Sequence, residues 1–382
     1  MTKDAVRVTL DPASGGVVLH ADDQTAAPLH PLWLRERSRD PAEFDAGSFQ
    51  RTFDACTLPG GQQVVEAQLP PGGPLALVFA DGARVTLPID AVEAELGWKR
   101  PTGEPPAAEP WGGDLTDRPE ATWASLDDPT IMRAMVGGFF RRGFCLIHDA
   151  PSTPGSLEAI AGRFGYLRET NFGKLFDVKA KPNPIDLAYT GLALAAHSDN
   201  PYRRPVPGIQ FLHCLESTVA GGLSTLVDGA AIVGALEEEM PAETRLLETI
   251  PVRFVYKSGL CEHQEDAPLV TRKADGTLKQ LRFSPRLDYV PPMAPTVLEN
   301  FYRARRRLHQ LAHDPAFQIE FRIPPGAFLM MDNHRLLHGR TAYESDGARW
   351  LQGCYIDHDG PESLYRLLAR GSKAVEVGRE VA

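Results

Sequence analysis

Short runs of alternating apolar and polar residues make up much of the first hundred positions. Examples are VRVTL at 6–10, GVVLH at 16–20 and LALVFADGARVTLP at 75–88. Because successive side chains of a strand point to opposite faces, such alternation is typical of half-buried β-strands. The Asp-Gly pair at 81–82 lies between two alternating runs, a pattern that favours a tight hairpin. The sequence therefore predicts a small β-rich domain over residues 1–100.

Proline and glycine are concentrated in the segment KRPTGEPPAAEPWGGD. This composition is typical of a linker or a wrapped connection, so we predict a linker over residues 101–113 and a second domain over 114–382. In the second domain, helical periodicity appears at 125–143, 156–165 and 294–314. Its strand-like runs are FCLIHDA, GIQFLHCLE, STLVDG, VRFVYKS, AFLMMDN and WLQGCYIDHD.

The order of these segments indicates a fold class. Many short strands, few helices, no regular alternation of strand and helix and no GxGxxG motif favour a jelly-roll barrel over a doubly wound sheet. The predicted fold is mainly β with helices. It consists of a double-stranded β-helix (jelly-roll) domain, which carries any chemistry, and the small N-terminal β-rich domain.

Composition and charge argue against several classes of protein. The chain has 382 residues, and its net charge of -10 is spread along it with no long block of one sign. Nucleic-acid binding therefore has no electrostatic footprint. No segment approaches the ~18 apolar residues of a membrane span, and the first residues lack the apolar core of a signal peptide, so we expect a cytoplasmic protein. The five cysteines lack CxxC spacing, which favours reduced core thiols over disulfides or a thiolate zinc site.

Candidate metal chemistry lies in the segment LALAAHSDNPY. His197 and Asp199 are two residues apart on a strand-like stretch, so their side chains point to the same side and can bind one ion. A ferrous oxygenase requires two histidines and one carboxylate on one face of the iron. The segment LMMDNHRLLHGR offers His334 and His338 as the third ligand. His338 is preferred because Arg349 follows in the next strand-like run, where a guanidinium suits the distal carboxylate of 2-oxoglutarate.

Other interpretations of these residues stay open. An HxD pair is short enough to be an ordinary polar turn at the end of a strand. A zinc hydrolase could use the same three ligands, although nothing supplies a general-base glutamate in an HExxH-like context. A catalytically silent β-domain protein used for binding or assembly is a further hypothesis, and an intact ligand set argues against it.

Three long segments resemble a known family. HSDNPYRRPVPGIQFLHCLESTVAGGLSTLVDG, DNHRLLHGRTAYESDGARWLQGCYIDHD and HPLWLRERSRDPAEFDAGSFQRTFDACTLP are similar to the γ-butyrobetaine and trimethyllysine dioxygenases, Fe(II)/2-oxoglutarate oxygenases related to taurine dioxygenase. The resemblance runs through essentially the whole chain and implies Fe(II), 2-oxoglutarate and O2. By this resemblance the metal ligands are His197, Asp199 and His338. The co-substrate is held by Arg349, in a pocket lined by Leu212 and Ser224.

The resemblance also implies an aromatic enclosure for the substrate. Members of this family that act on trimethylammonium compounds surround the cation with aromatic rings, whose faces attract a cation that cannot donate hydrogen bonds. The matching positions here are Phe172, Phe176, Tyr189 and Tyr355, and Asn200 and Tyr202 are expected to line the same site. Taken singly, any of these aromatic residues would more often be ordinary core.

The anionic end of the substrate is where this sequence departs from its relatives. Asp186 stands where γ-butyrobetaine enzymes commonly have an amide, and Ser284 and Arg286 stand in place of a common Asn-Asn pair. A carboxylate facing a carboxylate is repelled unless an arginine bridges them, and Arg203, Arg282 and Arg286 are available. This combination slightly favours 2-trimethylaminoethylphosphonate over γ-butyrobetaine as substrate. A taurine- or sulfonate-type oxygenase on the same iron site is the alternative.

The N-terminal domain departs from the family as well. Its relatives usually bind zinc through cysteines just after the WLR segment, and through a histidine after a later DG. The corresponding segments here are WLRERSRDPAEF and DGARV, which contain neither residue. We therefore predict that this domain keeps its shape without zinc, and we expect a homodimer by analogy with the family.

Overall fold

The computed structural model describes residues 6–179, 192–343 and 347–371. The chain folds as two compact units, Met1–Thr102 and Gly103–Ala382. Part of the predicted linker belongs to the second unit, where the indole of Trp111 is buried and its main-chain N–H donates to Asp228. Over the described part of the chain, no helix combines the length and the apolar character needed to cross a bilayer.

The first unit is built from short antiparallel strands. Its elements are β1 (Arg7–Asp11), β2 (Gly16–His20), β3 (Ala27–Leu29), α1 (Pro31–Arg35), β4 (Phe44–Asp45), β5 (Gln50–Arg51), β6 (Val64–Gln68), β7 (Leu75–Phe79), β8 (Arg84–Leu87) and α2 (Ile89–Glu95). They form the sheets β1-β2-β3, β4-β5 and β6-β7-β8. The predicted hairpin at the Asp-Gly pair joins β7 to β8, and Gly82 supplies the positive φ of its turn.

The segment after the WLR motif is fixed by an ion pair in this unit. The Arg35 guanidinium donates two hydrogen bonds to the carboxylate of Glu43, and both side chains are largely shielded from solvent. Arg39 lies over the rings of Phe44 at 4.0 Å and Phe49 at 4.7 Å. These contacts join α1 to the β4–β5 hairpin at the position where the resemblance led us to look for a metal site.

The second unit mixes strands and helices. Its strands are β9 (Glu120–Thr122), β10 (Phe144–His148), β11 (Phe176–Lys179), β12 (Leu194–His197), β13 (Ile209–Ser217), β14 (Ser224–Asp228), β15 (Val252–Lys257), β16 (Glu262–Ala267), β17 (Val270–Arg272), β18 (Leu278–Leu281), β19 (Asp288–Tyr289), β20 (Gln318–Phe321), β21 (Phe328–Asp332), β22 (Leu336–Arg340) and β23 (Arg349–Ile356). Its helices are α3 (Pro129–Arg142), α4 (Ser156–Gly162), α5 (Gly229–Glu239), α6 (Pro241–Thr249), α7 (Pro295–Ala312) and α8 (Asp359–Ala369).

Two sheets share an apolar core in this unit. One has the order β11-β23-β13-β21-β10-β9 and the other the order β12-β22-β14-β20. Phe144, Leu329 and Leu351 from the first sheet pack with Leu226 and Ile319 from the second. The other face of the six-stranded sheet is covered by α3, α4 and α8, and that of the four-stranded sheet by α5, α6 and α7. Because both faces are buried, strands such as FCLIH are almost continuously apolar.

The basic run on α7 is absorbed by ion pairs within the fold. Arg303 pairs with Glu243 and Arg305 pairs with Asp288. Arg307 pairs with Glu239. These arginines link α7 to α5, α6 and β19, so the run at 303–307 serves packing between elements of this unit.

Candidate active site

The two expected histidine ligands lie on neighbouring strands. β12 pairs with β22 in antiparallel fashion, and His197 stands directly opposite His338 in the register. Their ring centroids are 4.4 Å apart. His334 lies in the turn before β22, where its Nε2 is 3.0 Å from the carbonyl oxygen of Val206. The geometry therefore favours His338 over His334 as the partner of the HxD pair.

Asp199 follows β12 and completes a compact group of donors. One ligand atom from each of His197, Asp199 and His338 lies within 4.8 Å of the others. The Nε2 of His197 is 3.2 Å from Asp199 Oδ1, and the Nε2 of His338 is 3.8 Å from Asp199 Oδ2. His197 Nδ1 lies 2.9 Å from the carbonyl oxygen of Ala195, so this nitrogen carries the proton and Nε2 keeps its lone pair for a metal.

The environment sets protonation states that suit metal binding. Burial, together with the adjacent His197 ring, lowers the pKa of His338 to about 3, so this imidazole is neutral at physiological pH. Burial by itself raises the pKa of Asp199, but the two imidazoles and the hydroxyl of Tyr355 outweigh it and hold that pKa well below its usual range. Neutral imidazoles and an ionised carboxylate are the forms that bind a divalent ion. The two-histidine, one-carboxylate donor set fits Fe(II).

Asp199 is held from several sides. Its main-chain N–H donates to Asn333 Oδ1 at 2.7 Å, and Asn333 Nδ2 donates back to the Asp199 carbonyl at 3.0 Å. The carboxylate oxygen Oδ2 accepts from Gln210 Nε2 at 2.6 Å and from the Tyr355 hydroxyl at 2.8 Å. The buried amide of Asn333 thus locks the main chain while two other residues hold the carboxylate.

A cavity of about 960 Å³, counted to its open mouth, surrounds this group. The residues expected to hold 2-oxoglutarate line it, namely Arg349, Leu212 and Ser224. Burial lowers the pKa of Arg349, which still leaves a guanidinium charged at any physiological pH. Its charge lies 5.4 Å from the ring centroid of Tyr343, at the same side of which Arg340 approaches to 5.2 Å.

Aromatic rings form a second wall of the cavity. Phe176 stacks on Tyr355 with centroids 5.3 Å apart, and Phe172 lies 6.3 Å from Phe176. Gly353 of β23 opposes Phe176, and a Cβ atom at Gly353 would lie 2.4 Å from the Phe176 ring, so only glycine leaves room for it. The sequence interpretation missed Tyr256, which also lines the cavity and touches Phe172 edge-on at 5.6 Å.

The remaining expected substrate residues divide into three groups. Asn200, Tyr202, Ser284 and Arg286 line the cavity. Arg203 and Arg282 are absent from the described lining, because Arg203 donates to Asn171 at 2.6 Å and Arg282 to the carbonyl of Pro201 at 2.9 Å. The expectation that any of three arginines could bridge to the substrate is thus narrowed to Arg286. Asp186 and Tyr189 fall outside the described residues.

Comparison with known proteins decides the family. Residues 103–355 match the family described as Taurine catabolism dioxygenase TauD, TfdA family. A γ-butyrobetaine dioxygenase of Pseudomonas sp. (strain AK-1) is 33% identical over 361 residues, which span 93% of this chain and 94% of that relative. The chain belongs to the TauD/TfdA dioxygenase family. It is a non-haem Fe(II)/2-oxoglutarate-dependent dioxygenase whose reaction uses Fe(II), 2-oxoglutarate and O2.

Other relatives agree with this TauD/TfdA assignment. The γ-butyrobetaine dioxygenase of Homo sapiens is 29% identical over 283 residues, covering 69% of this chain and 70% of the relative. The mitochondrial trimethyllysine dioxygenase of Bos taurus is 26% identical over 356 residues, covering 88% and 82%. Among solved structures, the Fe, alpha-ketoglutarate dependent oxygenase PvcB aligns over 63% of this chain and 84% of its own, at 21% identity and a TM-score of 0.48. The zinc-hydrolase and silent-protein hypotheses are set aside.

Some residues of this dioxygenase site could not be read from the sequence. Gln210 reaches the metal group only because β13 pairs with β23, and Asn333 only because the β21–β22 turn returns beside Asp199. The alternation in GIQFLHCLE did place Gln210 and Leu212 on one face of a strand, which could have suggested Gln210. Tyr256 comes from β15, a strand outside the segments that carried the resemblance.

Proposed function

We propose that this dioxygenase hydroxylates a small trimethylammonium substrate. His197, Asp199 and His338 hold Fe(II), while Arg349, Leu212 and Ser224 hold 2-oxoglutarate. The observation that carries the proposal is that Phe172, Phe176 and Tyr355 line the same cavity as the three metal ligands. The two sheets that share the central core are proposed to be a double-stranded β-helix in a catalytic domain over 114–382. Residues 1–100 form a separate domain, joined by a linker over 101–113, and the homodimer remains a prediction.

The protein's residues determine which bond reacts. Bound Fe(II) with 2-oxoglutarate and O2 supplies the oxidation that converts a substrate C–H into C–OH, with succinate and carbon dioxide as co-products. Two imidazoles and one carboxylate leave three positions on the metal for the co-substrate and oxygen. The aromatic wall and a group at the anionic end would fix the substrate at two points, so that one carbon is presented to the metal.

The aromatic wall suits a cation without hydrogen-bond donors. A trimethylammonium group cannot satisfy buried acceptors, but it gains electrostatically from the faces of aromatic rings, by about 2 kcal/mol or more where water is excluded. The rings of Phe176 and Tyr355 are stacked with an interplanar angle of 29°, and Phe172 and Tyr256 extend the wall beyond them. The ionised carboxylate of Asp199 adds a negative charge behind Tyr355.

The anionic end of the substrate is assigned from weaker support. Arg286 and Ser284 line the cavity and can receive either a carboxylate or a phosphonate. The substitutions at 186, 284 and 286 slightly favoured 2-trimethylaminoethylphosphonate, whereas the relative matched over most of this chain is a γ-butyrobetaine dioxygenase. That relative makes γ-butyrobetaine the first substrate to test, with the phosphonate as the second candidate because of Arg286.

Substrate-dependent decarboxylation of 2-oxoglutarate separates these candidates. The purified enzyme with Fe(II) and 2-oxoglutarate would be offered γ-butyrobetaine, 2-trimethylaminoethylphosphonate and taurine at equal concentrations, with succinate and product mass measured. We expect both trimethylammonium compounds to stimulate succinate formation more than taurine does, and one of them to gain a single oxygen atom. Stimulation by taurine alone would replace the proposal with the sulfonate-type alternative.

A Phe176→Leu variant tests the aromatic wall. Leucine keeps an apolar side chain but removes the ring face, so KM for the trimethylammonium substrate is expected to rise about tenfold or more while KM for 2-oxoglutarate stays unchanged. A neutral analogue with a tert-butyl group in place of trimethylammonium should bind the two enzymes about equally.

The control for this variant is Tyr289→Leu. Tyr289 is 62% exposed, belongs to β19 and is not part of the described cavity lining. If Phe176→Leu weakened the neutral analogue as much as the cation, the wall would be serving shape alone, and the cation–π argument would be wrong.

A further inference from the structure

The carboxylate of Asp199 is held by two residues on adjacent strands. Gln210 of β13 stands directly opposite Tyr355 of β23 in the antiparallel register. Both side chains reach the same atom: Gln210 Nε2 donates to Asp199 Oδ2 at 2.6 Å and the Tyr355 hydroxyl donates to it at 2.8 Å. Two neighbouring strands thus converge on one oxygen of one metal-binding side chain.

These two hydrogen bonds distinguish the oxygens of Asp199. An ionised carboxylate has about four lone-pair sites, two on each oxygen, and two donors on Oδ2 fill the sites of that oxygen. Oδ1 receives neither of these bonds and lies 3.2 Å from the metal-facing Nε2 of His197. Asn333 fixes the main chain of Asp199 at both its N–H and its carbonyl, so the carboxylate has little freedom to turn.

We propose that Gln210 and Tyr355 are positioning residues that make Asp199 a one-oxygen ligand, with Oδ1 facing the metal and Oδ2 held away from it. A carboxylate that bound through both oxygens would occupy one of the three positions that a two-histidine, one-carboxylate site keeps open for co-substrate and oxygen. Hydrogen bonds from residues around a metal ligand commonly orient it in this way. Gln210 and Tyr355 thereby preserve an open site.

The environment of Gln210 supports a dedicated role. Its side chain is only 2% exposed and lines the cavity. Its amide must present Nε2 to Asp199, because a carboxylate can only accept, and this leaves Oε1 buried without a hydrogen-bond partner among the described residues. A buried amide with one unsatisfied atom costs stability. Its bond to Asp199 is therefore an arrangement that packing alone would not select.

Tyr355 connects the metal group to the substrate wall. Its ring stacks on Phe176 while its hydroxyl holds Asp199, so one residue contacts both parts of the cavity. Removal of the hydroxyl alone would leave the ring in the wall and separate the two roles. This separation makes Tyr355→Phe the decisive variant, because it deletes a single oxygen atom and keeps the packing of β23.

The test measures metal binding without substrate. Metal-free wild type, Tyr355→Phe, Gln210→Leu and the double variant would be titrated anaerobically with Co(II), followed by its d–d absorption and by calorimetry. Each single variant is expected to bind Co(II) about tenfold more weakly. The double variant should be weaker than either and show a changed d–d spectrum, because Oδ2 is then free to bind. Since no substrate is present, the outcome does not depend on the trimethylammonium proposal.

Matched controls separate positioning from general damage. Tyr365→Phe removes a hydroxyl from α8, outside the described cavity lining, and Gln352→Leu removes a buried glutamine of β23 that donates to Asp177 rather than to Asp199. Both should bind Co(II) like wild type, and thermal unfolding of the metal-free proteins checks that each variant folds. If Gln210→Leu does not fold, Tyr355→Phe decides alone. Wild-type affinity and spectrum in Tyr355→Phe and in any folded double variant would overturn the proposal, even if turnover fell.

Discussion

A His338→Ala variant is expected to lose Fe(II) binding and, with it, 2-oxoglutarate-dependent turnover. His338 supplies one of three donors, and the remaining pair, His197 and Asp199, cannot define three adjacent positions on the metal. Changes to residues that merely support a ligand cost about 10–100-fold in metal affinity, so loss of the ligand itself should cost at least about a hundredfold. Anaerobic titration with Fe(II) and 2-oxoglutarate, followed by absorption, and a succinate assay measure both losses.

His334 provides the matched control four positions earlier in the same segment. Its ring is engaged with the carbonyl of Val206 and lies 4.8 Å from the ring of His358, away from the three ligands. A His334→Ala variant should therefore keep Fe(II) affinity, and lose about 1 kcal/mol of stability if the hydrogen bond is removed. The reverse pattern, with metal lost in His334→Ala and kept in His338→Ala, would mean that the ligand assignment is wrong.

The contrast between these two histidines shows how far the sequence could be taken. Strand alternation explains why His197 and Asp199 point the same way, but it could not choose between His334 and His338, because that choice depends on which residue of β22 pairs with His197. The spacing to Arg349 favoured His338, and the register agrees. Gln210, by contrast, meets Asp199 through cross-strand pairing that has no local sequence pattern.

Helices were also missed for a physical reason. The predicted helices correspond to α3, α4 and α7, whose apolar residues recur with helical period beside polar ones. In α5 the sequence GAAIVGALEEE begins with an almost continuous apolar run after the strand STLVD, and periodicity alone cannot separate a buried helix from a strand there. Asp228 resolves it in the fold, since its side chain accepts from the N–H of Ala230 and caps the helix.

An Arg349→Met variant is expected to raise KM for 2-oxoglutarate by about a hundredfold. The guanidinium lies in the described cavity lining and burial lowers its pKa, so a carboxylate bound beside it is also shielded from water. Truncating one partner of a buried, hydrogen-bonded charge pair costs about 2–5 kcal/mol, which is tenfold for every 1.4 kcal/mol. Arg349→Lys keeps the charge but not the two-pronged geometry, and should fall between wild type and Arg349→Met.

The controls distinguish this loss from damage to the metal site. Co(II) affinity measured without 2-oxoglutarate should be unchanged in Arg349→Met, because Arg349 makes no described contact with His197, Asp199 or His338. Arg322→Met is the matched arginine variant, since Arg322 donates to the carbonyl of Val219 at 3.4 Å and is absent from the described cavity lining. Equal increases in KM for 2-oxoglutarate in both variants would point to the general positive field around Arg349. A rise confined to Arg349→Met, with metal affinity intact, would place the distal carboxylate of 2-oxoglutarate at this guanidinium.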